Sequence, residues 1–315
     1  MNIDVVGLGF AAMDIVLRCE ELPREDGFAF VQEENLMPGG SCANALVTLA
    51  NLGTFTALMA KMGYDHYGQA FVKDLKASGV STRYLQFKEN GTSLHNFITV
   101  TKTGSKAIFS HLGDSLLDLS EEDVDPNILT GVKVFYTELV PGNASLKLAR
   151  FCKEEHIPIV FNLQVGPAFM ELCHVSRAQL DEMLSLCDLF LGYEEGILEL
   201  AETKDSMVAI SSLYEKYRPE MGLIVTLGQR GSVWHNSKKT ISVPAYGIEA
   251  VDTTGAGDAF SGGLIHSYFI KENELEAAIR FASACAAIKC TQHGPRLKAS
   301  EEDILDFIRL HDTDQ

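Results

Sequence analysis

The chain has 315 residues, with 26 Lys+Arg against 43 Asp+Glu for a formal charge of −17, 46% apolar and 22% charged residues. That balance suits a chain that buries a core and excludes disordered and collagenous classes. The acidic excess also speaks against nucleic acid polymers and anionic membranes as partners, because both reward clustered Lys and Arg.

No run approaches the roughly 18 apolar residues of a membrane span. The start, MNIDVVGLGF, lacks a basic segment ahead of a long apolar one, so the cytoplasm is the expected compartment. In chain order, IDVV at 3–6 predicts a buried first strand closed by Gly7 and Gly9. Residues 13–35 carry MDIVLRC and FAFVQ around a turn from Pro23 to Gly27. In 38–53, PGGSCANALVTLANLG, apolar Ala43, Leu46, Val47 and Ala50 recur at helical spacing and Gly53 can close the helix. Strand-like FTALMAK, VKVFYTE, IPIVFNL, LFLGY and LIVTLG then alternate with helical patterns at 66–78, 143–155, 176–186 and 195–217. Ser120 with Asp123, Ser176 with Gln179 and Ser300 with Asp303 fit capping boxes at helix starts.

The alternation predicts an α/β fold with a mostly parallel sheet covered by helices on both faces. Residues 92–110, SLHNFITV and KAIFSHL around TKTGS, predict a hairpin. With 13–35 it would form a small β-sheet lid over a discontinuous main domain of 1–12, 36–91 and 111–315. The seven cysteines are scattered without C-x-x-C, and the histidines lack H-x-x-x-H, so neither a disulfide framework nor a ligated transition metal is expected.

The segment richest in chemistry is DTTGAGDAFSGG, 252–263, between strand-like KKTISVPAY and a helical run from Ala259 to Ile270. Gly255 and Gly257 can bare backbone N–H groups at a helix start, an anion hole completed by Ala256. Asp258 stands beside it, where it could take a proton from an attacking hydroxyl; alone, it could equally just complement the helix dipole. Gly39, Gly40 and Asn44 mark a second place where a ligand can approach the backbone, although a plain loop-to-helix junction would look the same. GLGFAA, 7–12, mimics a dinucleotide fingerprint, but the β-branched MDIVLRCEELP after it does not suit the helix that such a turn must enter.

Together these segments resemble the two patterns of the ribokinase-like (PfkB) carbohydrate kinases. Gly39, Gly40, Asn44 and Ala45 meet G-G-x-x-x-N-x-A, and Asp252 to Phe260 meet D-T-x-G-A-G-D-x-F in full. The resemblance runs through the chain and implies a three-layer α/β sandwich with a β lid. It implies a phosphotransferase that uses ATP and Mg²⁺ to phosphorylate a hydroxymethyl group of a small sugar. Asp258 would be the general base and Gly255, Ala256 and Gly257 the anion hole. Because the helix dipole favours its charged form, Asp258 would be a weak base, which a loose phosphoryl-transfer transition state tolerates.

By the same resemblance, Asp14 would accept hydrogen bonds from sugar hydroxyls, with Gly39, Gly40 and Asn44 around it. Thr226, Gly228 and Gly231 in VTLGQRG would line the nucleotide, and Asp65 in GYDHYG would be structural or near the substrate. The family's N-x-x-E block departs here: LFLGYEEG puts Gly192 in the Asn place and keeps Glu195, carried over as a Mg²⁺ organiser through water. Asp252 and the Thr254 carbonyl match the place of a monovalent cation such as K⁺. FNLQVGPAF is loosely similar to adenosine-kinase-like members, which would put Asn162 at the substrate and lets Phe28, Phe30 or Phe97 stack on a base. A nucleoside kinase is therefore the alternative, and a catalytically silent sugar- or nucleotide-binding sensor a third reading. The lid hairpin holds only Lys102 and Lys106, sparse for a phosphorylated sugar. Lids of the family sometimes pair, which allows a homodimer.

Overall fold

The computed structural model describes residues 2–312. Its first half runs β1 (Val5–Leu8), β2 (Ala12–Cys19), β3 (Val31–Gly39), α1 (Ser41–Asn51), β4 (Thr56–Gly63), α2 (His66–Ala77), β5 (Ser81–Lys88), β6 (His95–Thr101) and β7 (Lys106–His111). Next come β8 (Val134–Thr137), α3 (Gly142–Glu154), β9 (Ile159–Leu163), α4 (Pro167–Leu172), α5 (Arg177–Leu186), β10 (Leu189–Tyr193), α6 (Glu194–Leu200) and α7 (Ser206–Tyr217). The last part holds β11 (Gly222–Thr226), β12 (Ser232–His235), β13 (Thr240–Val243), α8 (Ala256–Ile265), α9 (Leu275–Cys290) and α10 (Glu301–Asp312).

Nine strands form one sheet in the order β13-β12-β11-β10-β9-β8-β1-β4-β5. From β11 to β5 neighbours pair in parallel, and only β12 and β13 add antiparallel pairings at one edge. Strands buried on both faces need apolar residues on both faces, which is why VVGL and VFYT are continuous apolar runs rather than alternating ones. Val6, Leu8 and Phe135 enter one core, while Val5, Val134 and Tyr136 enter the other with residues of α1, α8 and α9. The chain steps from β1 to β4 and β5 on one side and to β8, β9, β10 and β11 on the other. The carboxyl ends of β1 and β8 thus flank a topological switch point, where α/β sheets bind ligands.

A second sheet has the order β3-β2-β6-β7, with β2 and β6 parallel at its centre and antiparallel partners outside. It reaches further than residues 13–35 and 92–110, since β3 runs on to Gly39 and delivers the chain directly into α1. The strand begins at Val31, so Phe28 and Phe30 lie in the connection and are 83% and 80% exposed.

Other local expectations shift for identifiable reasons. β1 starts at Val5 rather than residue 3, because its register is set by pairing with β4 and β8. The pattern at 195–217 is two helices, and Asp205 restarts the chain by accepting from Met207 and Val208 N–H. The helix placed at 259–270 starts at Ala256 and ends in a π-helical turn, His266–Ile270. Ser176 and Gln179 form a reciprocal capping box, and Ser300 with Asp303 caps α10. Ser120 N–H does bond Asp123 at 3.0 Å, but no α-helix follows; Asp123 is also claimed by Lys61 at 3.1 Å. Asp65 is the N-cap of α2 and accepts from Gly68 N–H and from Ser93 N–H and hydroxyl, each at 2.8 Å, which gives it a structural role. Among the described residues every cysteine is free and no helix is long and apolar enough to cross a membrane.

Candidate active site

The N-terminus of α8 is where the parts converge. Gly255 is its N-cap with φ 79°, and a Cβ there would run into the Pro295 carbonyl, so only glycine takes this turn. Ala256, expected among the anion-hole donors, gives its N–H to Thr253 O at 3.2 Å, while Gly257 lines two of the cavities at this helix start. Further along, Gly262 lets α8 approach α1 closely: a Cβ would stand 2.7 Å from Ala45 O and Thr48 Cβ. That approach brings Asn44 of α1 within 2.9 Å of Asp258, Nδ2 donating to Oδ2.

Asp258 is 5% exposed. Burial pushes its carboxyl up to about 7, against the pull of the Asn44 amide, Lys289 and Arg296, with Asp14 adding to the rise. The weak base expected from the helix dipole alone is corrected: loss of water outweighs the dipole. Asn44 is a brace for Asp258 more than a ligand group, since Arg296 Nε donates to its carbonyl at 3.1 Å. Arg296 is buried in turn by an ion pair with Asp74.

Three cavities adjoin this helix start. One of about 540 Å³ is lined by Thr226, Gly228, Gly231, Tyr246, Thr253, Ala256, Gly257 and the flank of α9. A second, about 400 Å³, lies between the small sheet and the loop at 250–254, with Asp14, Val16 and Arg18 of β2, Met37 of β3, Val100 of β6 and Lys106 of β7 on its wall. Ala250 and Thr253 line both, so one loop separates the two chambers. The third, about 290 Å³, is bounded by Asn162, Gln164, Gly192, Tyr193, Thr226, Gly257 and Ser261.

Asp14 faces the second cavity. Burial raises its carboxyl, opposed by Asn96 and Arg296, and Asn96 Nδ2 donates to it at 2.7 Å. Gly39 leaves room for that carboxylate, because a Cβ would strike Asp14 Oδ2, and Gly40 packs against Phe10 O. Thr226, Gly228 and Gly231 share the first cavity as expected from their loop. Asn162 does not join Asp14; it donates to Tyr136 Oη and Gln164 Oε1 at 3.0 Å and lines the third cavity beside Gly257. Gly192 lines that same cavity, and a side chain there would meet Ile197 Cγ2 at 2.8 Å, so the strand end has no room for the Asn of the pattern. Glu195 is exposed on the first turn of α6 and acts on Tyr193 at the rim, whereas Glu194 pairs with Arg230 and Ser206.

Asp252 and Thr254, matched to the place of a monovalent cation, stand in the loop ahead of α8. Asp252 accepts Thr254 N–H on Oδ1 and Gly294 N–H on Oδ2, each at 3.0 Å, and its carbonyl already takes the ammonium of Lys289 at 2.6 Å. Phe97 points to the face of the small sheet away from the second cavity, sharing that face with Phe109 opposite it; Phe28 and Phe30 stand clear of the cavity in solvent.

Sequence reasoning missed Glu138, Arg296, Arg18 and Lys289. Glu138 is 1% exposed and accepts from Phe10 N–H at 2.8 Å and Tyr136 Oη at 3.4 Å; burial pushes it up to about 8, with Asp258 contributing. A carboxylate inside the apolar run VFYTELV was the available signal.

Comparison with known proteins bears on the family and the fold. The model of the pfkB family of carbohydrate kinases matches residues 2–302. An ATP-dependent ribose-1-phosphate kinase of Halopiger xanaduensis is 25% identical over 304 residues, covering 96% of this chain and 97% of its own. The ribokinase of Bacillus subtilis is 26% identical over 300 residues, covering 91% and 92%. Among solved structures, a ribokinase from Thermotoga maritima superimposes with a TM-score of 0.83 at 24% identity over 98% of this chain and 99% of its own.

Proposed function

The chain belongs to the pfkB family of carbohydrate kinases, and on that premise we propose that it moves the γ-phosphoryl group of ATP to a hydroxymethyl group of a free sugar. The observation that carries this reading is the wall at 250–257: one chamber on each side, and Asp258 buried just behind. ATP would occupy the 540 Å³ chamber with its phosphates toward Gly255 and Gly257, and the sugar the chamber of Asp14. Asp258, near pH 7 in its titration, takes the hydroxyl proton as the oxygen attacks phosphorus. The bare N–H groups at the start of α8 hold the negative charge that develops on the phosphoryl oxygens.

Among the described residues no three His, Cys, Asp or Glu side chains gather to hold a metal ion. Mg²⁺ would arrive on the nucleotide's phosphates and keep most of its waters, and Glu195, exposed near Tyr193 of the third cavity, would bond one of them. Such an ion supplies charge neutralisation on the transferred group. The small sheet acts as a lid that keeps water, a competing acceptor, from the γ-phosphate. The cytoplasm, where ATP is abundant, is the compartment this reading assigns.

A free sugar suits the second chamber better than a nucleoside, since neither Phe28, Phe30 nor Phe97 lines it. It also suits the charges: Arg18 of β2, outside the hairpin, pairs with Glu33 at 3.4 Å, Lys102 with Glu20 at 2.5 Å, and Lys106 stands 3.9 Å from Asp252. ADP release should be measured with ATP and Mg²⁺ over ribose, fructose, other ketoses, ribose 1-phosphate, adenosine, inosine and cytidine. Turnover of a free sugar above the rest is expected. Preference for a nucleoside or a sugar phosphate would replace the substrate, and binding without any turnover would make the protein a sensor.

Leu36, Ile15, Phe97 and Phe109 stand opposite one another across all four strands of the lid, on the face away from the chamber. Leu36 is 48%, Phe97 38% and Phe109 71% exposed, an apolar row that supports pairing of two lids in a homodimer. Phe109→Ser should shift the molar mass in light scattering from dimer toward monomer; a monomeric parent protein would contradict the pairing.

A further inference from the structure

Lys289, in the last turn of α9, is 0% exposed. Burying an ammonium is costly unless it is paired and hydrogen-bonded. Here Nζ donates to the carbonyls of Asp252 at 2.6 Å and Gln292 at 3.2 Å. It lies at the C-terminal, negative end of the α9 dipole, and Asp252 and Asp258 add their fields. Converging backbone carbonyls are how proteins replace the hydration shell of a monovalent metal ion. The carbonyl of Asp252, a residue expected at the place of such an ion, is therefore already committed to a cation that belongs to the chain.

The same residue is fastened at its other atoms. Val251 and Asp252 N–H both go to Cys290 O, at 2.8 and 3.1 Å, and Gly294 N–H and Thr254 N–H complete the carboxylate. The lysine thus sits where the end of α9 is sewn to the loop that becomes the anion hole. We propose that Lys289 is a built-in monovalent cation, a positioning residue that sets the 252–257 loop for phosphoryl transfer without K⁺. Its activity readout rests on the kinase reading above; its structural readouts do not.

The test compares the wild-type protein in KCl and in tetramethylammonium chloride at equal ionic strength. Equal Tm, equal affinity for a fluorescent ATP analogue and equal kcat are expected. A Tm raised by several degrees or a kcat raised several-fold by K⁺ in the wild-type protein overturns the proposal, because an inorganic ion would then still be needed. Lys289→Met, similar in length but uncharged, should lower kcat about 10²-fold, the cost of misplacing an oxyanion-hole donor, with the sugar KM little changed. Lys289→Ala should regain part of that kcat when methylammonium or K⁺ is added, which a merely structural lysine would not allow. Full activity of Lys289→Met without K⁺ also overturns it. If the variants do not fold, the wild-type comparison decides. If no sugar is turned over, the Tm and analogue binding still decide, and only the kinase reading fails.

Discussion

At the two ends of one glycine-rich loop stand two aspartates with opposite surroundings. Asp252 is half-covered and, although burial works upward, Thr254, Gly294 and Lys289 together hold its carboxyl below the ordinary range. Asp258 is fully buried with one amide donor, and burial lifts it to about 7. The first keeps its charge at any physiological pH and fastens the loop; the second is free to exchange a proton. Environments that push like groups apart in this way separate a structural carboxylate from a reactive one.

The largest test of that contrast is Asp258→Asn, which keeps the shape and removes the base. It should lower kcat about 10²–10⁴-fold while binding of an ATP analogue is retained; near-normal kcat would leave the two aspartates without different roles. Gly255→Ala should follow, with a loss of about 10²-fold in kcat, since its Cβ must push the loop away from Pro295 and spoil the anion hole. Asn44→Ala is subtler. It removes the hydrogen bond that favours the charged Asp258, so the acidic limb of kcat/KM should move up by about one pH unit.

The smallest expected effect is on stability. Glu138 titrates near 8 in the fold against an ordinary 4.5, so the folded chain binds that proton more tightly. Its contribution to stability is full below about 4.5 and is lost as the pH rises through about 8. Glu138→Gln keeps an acceptor for Phe10 N–H and removes the loss. The fall in Tm between pH 5 and pH 8 should shrink by about 2–4 °C for each kcal/mol relieved; an unchanged fall would assign the burial cost elsewhere.

What was legible in the sequence is what local pattern encodes. Apolar runs and helical spacing located the sheet and its helices, and the glycines at 255 and 257 located the turn into α8 before any contact was known. Contacts between distant segments were not legible. Arg296 reaches Asn44 and Asp74 only because α1, α2 and the loop after α9 meet, and in GPRLK it looks like a surface residue. Lys289 in AAIKC had a faint signal, a charge among small apolar residues, but its two carbonyl partners belong to separate loops. Asp258 was placed correctly at the head of α8, yet its proton affinity followed from burial by α1, which the dipole argument ignores.

The central claim is that a buried Asp258 accepts the proton, and the pH dependence of kcat/KM tests it most directly. The account predicts a rise of slope one that levels off above an apparent pKa near 7 in the wild-type enzyme. A flat profile through neutrality, with the protein folded throughout, would contradict it.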